Sequence, residues 1–207
     1  MGAGRPFREE PKLKVAGLSV ARGGRLVFEG MSFGAEAGDF IELRGANGSG
    51  KTSLLRAIAG YLRPRSGVIS FEGVEEPALC LHYLGHLNGL KPASNVSAHL
   101  RYWAGLFAGA VDIAAVMSGV GLGASADLPA RALSQGQARR LALARLLVAP
   151  RPIWLLDEPA AALDAQGRTL IASLIEAHRE QGGVVLAAVH EPLGSAPSQT
   201  LQLSDRT

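Results

Sequence analysis

One octapeptide constrains this chain more than any other part of it. Gly45-Ala46-Asn47-Gly48-Ser49-Gly50-Lys51-Thr52 matches G-x-x-x-x-G-K-[ST] at every fixed position. The run before it, Phe40–Leu43, reads as a short buried strand, and Lys51 to about Gly60 reads as a helix that stops at a glycine. The glycines let the backbone bend so that several N–H groups point inward at phosphates. The helix N-terminus adds the positive end of its dipole. Lys51 would reach the β- and γ-phosphates and the Thr52 hydroxyl would bind Mg²⁺. A chance glycine-rich turn would need neither the Lys-Thr pair nor the strand-loop-helix frame. The expected ligand is a nucleoside triphosphate held by Gly45, Ala46, Asn47, Gly48, Ser49, Gly50, Lys51 and Thr52.

A second apolar run, Ile153-Trp154-Leu155-Leu156, closes on Asp157-Glu158. Carboxylates at the end of a buried strand must face a cleft or solvent, because burying them unpaired is costly. Beside a phosphate loop, the acid at the strand end can hold Mg²⁺, which assigns the metal role to Thr52 and Asp157. Glu158, one residue on, is placed to act as general base on the attacking water. A turn with two solvated acids would be the alternative if no phosphate loop lay upstream.

The rest of the chain supplies the frame. Lys12–Val20 and Arg25–Phe33 read as two extended segments around a Gly23-Gly24 turn, with alternation slipping near Gly17. Val68–Phe71 and Leu79–Leu84 extend again. Asn95–Phe107 and Val111–Val120 read as helices, with Asn95 or Ser97, and then Asp112, near their starts. Ser134 can cap a long helix that runs to Val148 before Pro150. Pro152–Leu156, Ala165–Gln181, Val184–Val189 and Leu201–Leu203 then alternate strand, helix, strand, strand. The expected fold class is α/β: antiparallel β elements at the N-terminus, a parallel core sheet and a short helical insert. One domain spans 1–207, with a core over about 12–91 and 150–205 and a helical subdomain over about 92–149.

Leu133-Ser134-Gln135-Gly136-Gln137 and the helix after it make a second anion-facing helix start. A chain that already owns one phosphate loop can use it on ATP held by a second copy. Here the sequence resembles the ABC ATPases, whose L-S-x-G-Q signature occupies this place. The resemblance runs from about Leu13 to Leu203. It implies an α/β P-loop ABC ATPase, ATP and Mg²⁺ as cofactors, and a homodimer with composite sites. Ser134, Gly136 and Gln137 would complete the nucleotide site. Ala162-Leu163-Asp164 would be the D-loop, with Asp164 crossing to the partner, and His190 the switch histidine that touches the γ-phosphate. Catalysis would then fall to Glu158, His190 and Lys51.

Two elements depart from that family. Where an aromatic side chain usually stacks on adenine, Ala21-Arg22-Gly23-Gly24 holds Arg22. Its guanidinium either stacks on the base or forms a surface salt bridge. Where the Q-loop glutamine belongs, near His86 or Leu87, the segment reads Gly85-His86-Leu87-Asn88-Gly89-Leu90-Lys91. Imidazole is a poor Mg²⁺ ligand. His86 either hydrogen-bonds the attacking water or a phosphate, or lies at the junction that feels a membrane partner. These departures, the short chain and the ending Val189-His190-Glu191-Pro192-Leu193 resemble the ATP-binding subunits of cytochrome c maturation heme exporters. That resemblance implies integral membrane permease subunits as partners, heme as an indirect cargo and a peripheral place on the cytoplasmic face of the bacterial inner membrane. Another cargo, or a soluble ABC ATPase that transports nothing, are the rivals. A P-loop kinase would need no L-S-x-G-Q segment.

Composition bounds these expectations. Mean hydropathy is positive at +0.16, yet no run approaches the ~18 apolar residues of a spanning helix. The most apolar stretch, Leu141–Ala149, is short and carries Arg145. Met1–Pro11 has charge without an apolar core, so it reads as no signal peptide and the chain as cytoplasmic. The single Cys80 excludes an internal disulfide and reads as a buried structural thiol. Net charge is only +3, and the pairs Arg139/Arg140 and Arg63/Arg65 read as solvated surface, so no nucleic-acid partner is expected.

Overall fold

The computed structural model describes residues 7, 10–74, 76, 79–106 and 111–203. The Phe107 helix end, Ala78, most of Met1–Pro11 and the chain past 203 lie outside the described residues.

Strands β1 (Lys12–Arg22) and β2 (Arg25–Ala35) form an antiparallel hairpin. Its two turn residues, Gly23 and Gly24, have φ of 57° and 79°. Positive φ at both positions suits the two-residue turn whose twist matches the strands. The alternation slip at Gly17 is a bulge: the register shifts between Val15 and Leu18, and Gly17 N–H donates to Ser32 Oγ at 2.9 Å. Strand β3 (Phe40–Arg44) starts the second sheet, and helix α1 (Lys51–Ile58) follows the phosphate loop. Strand β4 (Ser66–Glu72) pairs with the other edge of β1.

The second sheet adds β5 (Leu81–Leu84), β6 (Ile153–Asp157), β7 (Val184–Ala188) and β8 (Gln199–Gln202). Its order is β5-β6-β7-β3-β8, with every pairing parallel. The central strands β6 and β7 are buried at every residue, as a sheet covered on both faces requires. One face packs with α1 against the three-stranded sheet, through Leu43, Leu54, Leu155 and Leu186. The other packs on helix α5 (Ala165–Glu180) through Phe40, Trp154, Ile171 and Ile175.

Helices α2 (Val96–Leu106), α3 (Ile113–Gly119) and α4 (Gln135–Val148) share a third apolar cluster around Leu100, Met117 and Leu141. Asn95, rather than Ser97, caps α2: its Oδ1 accepts from Ala98 N–H at 2.8 Å. Asp112 caps α3 in the same way. Helix α4 joins the two regions. Leu141, Ala144 and Val148 face the helical cluster, whereas Ala142, Leu143 and Leu146 face the sheet. No helix among the described residues is long and apolar enough to cross a membrane.

Candidate functional site

The phosphate loop leaves β3 and turns into α1 at Gly50, whose φ is 103°. A Cβ there would lie 2.6 Å from Val27 Cγ1, so both the backbone angle and the packing of β2 require glycine. Lys51 is almost buried, and its Nζ donates to the carbonyls of Gly45 at 2.7 Å and Ala46 at 2.9 Å. The ammonium is thus held against the loop that would wrap phosphate. Ser49 Oγ is buried there without a hydrogen-bond partner, a polar atom that a ligand oxygen would satisfy.

Sheet register brings the acids to this loop. Thr52 Oγ1, in the first turn of α1, donates to Asp157 Oδ1 at 3.0 Å. Burial pushes the Asp157 carboxyl above its ordinary pKa, the Thr52 bond opposes this, and the neighbouring Glu158 charge adds to the rise. Oδ2 of Asp157 is buried with no partner. A threonine hydroxyl beside an unpaired carboxylate oxygen is a hard-oxygen donor set, and it fits Mg²⁺.

Strand ends also assemble what surrounds Glu158. Leu84 pairs with Leu156, so Gly85-His86 leaves the sheet beside Asp157-Glu158. Asp157 pairs with Ala188, so Val189-His190 leaves on the other side. His190 Nε2 lies 2.9 Å from Glu158 Oε1, and His86 Nδ1 lies 3.7 Å from Oε2. His86, expected near the attacking water, a phosphate or a membrane junction, stands exposed beside the Glu158 carboxylate. Glu158 itself has φ of 51°, a left-handed conformation rare outside glycine. Such backbone strain concentrates at functional sites.

Ser134 caps α4 in a full capping box: its Oγ accepts from Gln137 N–H at 3.2 Å, and Gln137 Oε1 accepts from Ser134 N–H at 2.9 Å. Gly136 abuts the segment after Glu158, since a Cβ on it would lie 3.1 Å from the Ala162 carbonyl. Asp164, expected to reach a partner, caps α5 through Gly167 N–H and pairs with Arg140 at 2.6 Å. Arg22 stands exposed at the end of β1.

The surface reading of Arg139 and Arg140 is overturned. Arg139 is 3% exposed, and its guanidinium donates to five acceptors from Gly85 to Pro159. Arg140 has a side chain only 12% exposed, turned to Asp164. The signal that places Arg139 inside was present in the sequence. It falls three and four residues before Ala142 and Leu143, on the helical face that packs on the sheet. Arg63 and Arg65 are exposed as expected. Cys80 is buried, and burial pushes its thiol up to about 11.

The sequence profile of the ABC transporter family matches residues 28–161. The chain is 49% identical over 187 residues to the cytochrome c biogenesis ATP-binding export protein CcmA of Rhodopseudomonas palustris strain HaA2, covering 88% of this chain and 94% of that one. It is 46% identical over 197 residues to the protein of the same name from Rhizobium johnstonii, covering 90% and 92%. Among solved structures it resembles a putative ABC transporter ATP-binding protein from Pyrococcus furiosus, with a TM-score of 0.81 at 28% identity over 93% of this chain and 97% of that one.

Proposed function

The chain belongs to the ABC transporter family, among its cytochrome c biogenesis ATP-binding export proteins, and from that premise we propose that its hydrolysis of ATP drives a heme exporter that serves c-type cytochromes. The observation that carries the catalytic part of this reading is the convergence of Thr52, Asp157, Glu158 and His190 at adjacent ends of α1, β6 and β7. The relatives' printed names support the cargo. The 1–207 chain is read as one ATP-binding domain in which residues 92–149 form the helical subdomain.

In this mechanism two copies meet head to tail. Each ATP lies between Gly45–Thr52 of one copy and Ser134 and Gly136 of the partner subunit. The loop N–H groups and the α1 terminus bind the phosphates, and Lys51 sets its ammonium against the β- and γ-phosphates. Mg²⁺, held by Thr52 and Asp157, would supply positive charge against the charge that develops on the phosphoryl oxygens. Glu158 accepts the proton of the attacking water. His190 holds that carboxylate in one orientation and meets the γ-phosphate.

As an exporter ATPase the chain associates with membrane permease subunits, which would hold it at the cytoplasmic face of the inner membrane. A cavity of about 330 Å³ lies where the sheet meets the helical cluster, lined by Tyr61, Tyr83, Tyr102, Trp103 and Arg145. Tyr61 and Tyr102 at its rim are exposed. Exposed aromatics around a concave site suit a permease loop.

The test is genetic. A strain that lacks this chain should fail to attach heme to its c-type cytochromes. The unaltered gene should restore attachment and Lys51→Ala should not. Normal cytochrome c in the deletion strain would overturn the cargo reading.

A further inference from the structure

We propose that Arg139 is a positioning residue for hydrolysis: from α4 its guanidinium ties the Glu158 backbone to the loop that bears His86, so that carboxylate and imidazole are presented together. The proposal rests on Glu158 as the general base.

Arginine carries five N–H donors in a rigid fork, and Arg139 uses them on two segments. Nη2 donates to the carbonyls of Asp157 at 2.9 Å and Glu158 at 2.8 Å, and Nε to that of Pro159 at 3.1 Å. Nη1 donates to the Gly85 carbonyl and to Asn88 Oδ1, both at 3.0 Å. These bonds fix the peptide units on both sides of Glu158, the residue held at φ 51°. They also hold the His86 loop at two points, the Gly85 carbonyl just before His86 and the Asn88 side chain two residues after it. No other side chain among the described residues has five such hydrogen bonds to these two segments.

Plain packing does not account for this residue. Burial disfavours the Arg139 charge, and the Asp157 and Glu158 charges favour it in return. An apolar side chain would fill the same face of α4 beside Ala142 and Leu143 without that desolvation cost. What an apolar side chain lacks is the donors. Lysine offers three donors from a single point and cannot span both segments.

The Arg139→Lys variant of the full chain tests the proposal, read as kcat against KM for MgATP, affinity for a fluorescent ATP analogue, and thermal melting. A displacement of about 1 Å in a reacting group can cost about a hundredfold. The expected result is therefore kcat about ten- to a hundredfold lower, with KM and nucleotide affinity within about twofold of the unaltered chain. Placed on Glu158→Gln, the same change should have no further effect, because its target is already gone. A kcat for Arg139→Lys equal to that of the unaltered chain overturns the proposal, as does a loss that simply multiplies with that of Glu158→Gln. If Arg139→Lys fails to fold, Asn88→Ala decides: it removes one anchor of the His86 loop and leaves the guanidinium in place. A lowered kcat at unchanged KM and melting supports the proposal, and an unchanged kcat overturns it. Normal turnover in Glu158→Gln alone would instead overturn the general-base reading beneath it.

Discussion

Glu158 Oε1 and His190 Nε2 lie 2.9 Å apart, joined across the tips of two neighbouring parallel strands, β6 and β7. The carboxylate belongs to a residue in the left-handed region, so its direction is set by tertiary contacts and not by local preference. A base held this way should be sensitive to the loss of either partner. Glu158→Gln keeps size and hydrogen bonding but cannot take a proton. It should bind ATP normally, lose turnover by about 10²- to 10⁴-fold and accumulate as the nucleotide-bound dimer. His190→Ala should keep binding and lose turnover to a smaller degree. Equilibrium nucleotide binding and steady-state phosphate release check both. Turnover near normal in Glu158→Gln would count against proton transfer to this residue.

Lys51 tests the phosphate loop independently of the base. Its Nζ is held by the Gly45 and Ala46 carbonyls, so the ammonium is already desolvated beside the phosphate position. Lys51→Ala should lose nucleotide affinity with little change in melting temperature when no nucleotide is present. Thr52→Ala should act differently, because Thr52 Oγ1 bonds Asp157 rather than the loop. It should raise the Mg²⁺ concentration needed for half-maximal turnover. Titrations of ATP and of Mg²⁺ separate the two, and a Mg²⁺ requirement unchanged in Thr52→Ala would count against its metal role.

The contrast between these residues and Arg139 marks what was legible in the sequence. The strands, the hairpin and the phosphate loop are written in local patterns: alternation, the Gly23-Gly24 pair, and a motif with fixed spacing. Asp157, Glu158 and His190 are legible because each follows an apolar run that can only be a buried strand. His86 against Glu158 is not, since it depends on Leu84 pairing with Leu156 some seventy residues away. Arg139 was obscured by its charge. A charged pair reads as surface unless its place on the helical face is counted, and that face also carries Ala142 and Leu143. The left-handed Glu158 is not legible at all, because no local sequence rule favours that conformation for glutamate.

Two buried histidines predict how the fold responds to acid. His82 bonds the Ala149 carbonyl, and His178 stacks on Trp154 with ring centroids 3.8 Å apart. Burial pushes each pKa down to about 4. An unfolded histidine titrates near 6.5, so between about pH 6.5 and 4 the unfolded chain binds more protons than the folded one. Stability then rises with pH through this window and is lost as pH falls. The loss reaches up to about 3 kcal/mol for each histidine once pH falls below the folded value. Denaturant melts at pH 7, 6 and 5 should show declining stability before most carboxylates titrate. His178→Gln should flatten part of that slope. Equal stability at pH 7 and pH 5 would mean that these rings are not held neutral.

Ser134 has two separable duties, and one substitution pulls them apart. Its hydroxyl caps α4 by accepting from Gln137 N–H, and the same helix start is proposed to meet the γ-phosphate held by a second copy. Removing the cap with Ser134→Ala should cost about 1 kcal/mol and lower turnover as well, which leaves the two duties mixed. Aspartate caps as well as serine does and suits the helix dipole. Ser134→Asp should therefore melt at or above the temperature of the unaltered chain. Its carboxylate would face the phosphate of the neighbouring copy's ATP, and like charges there repel. Turnover and ATP-driven dimerisation should fall sharply while ATP still binds the monomer through Gly45–Thr52. Gel filtration of this variant, with Glu158→Gln also present to hold ATP unhydrolysed, reads the effect directly. A dimer that forms as readily as with Ser134 would remove this helix start from the composite site.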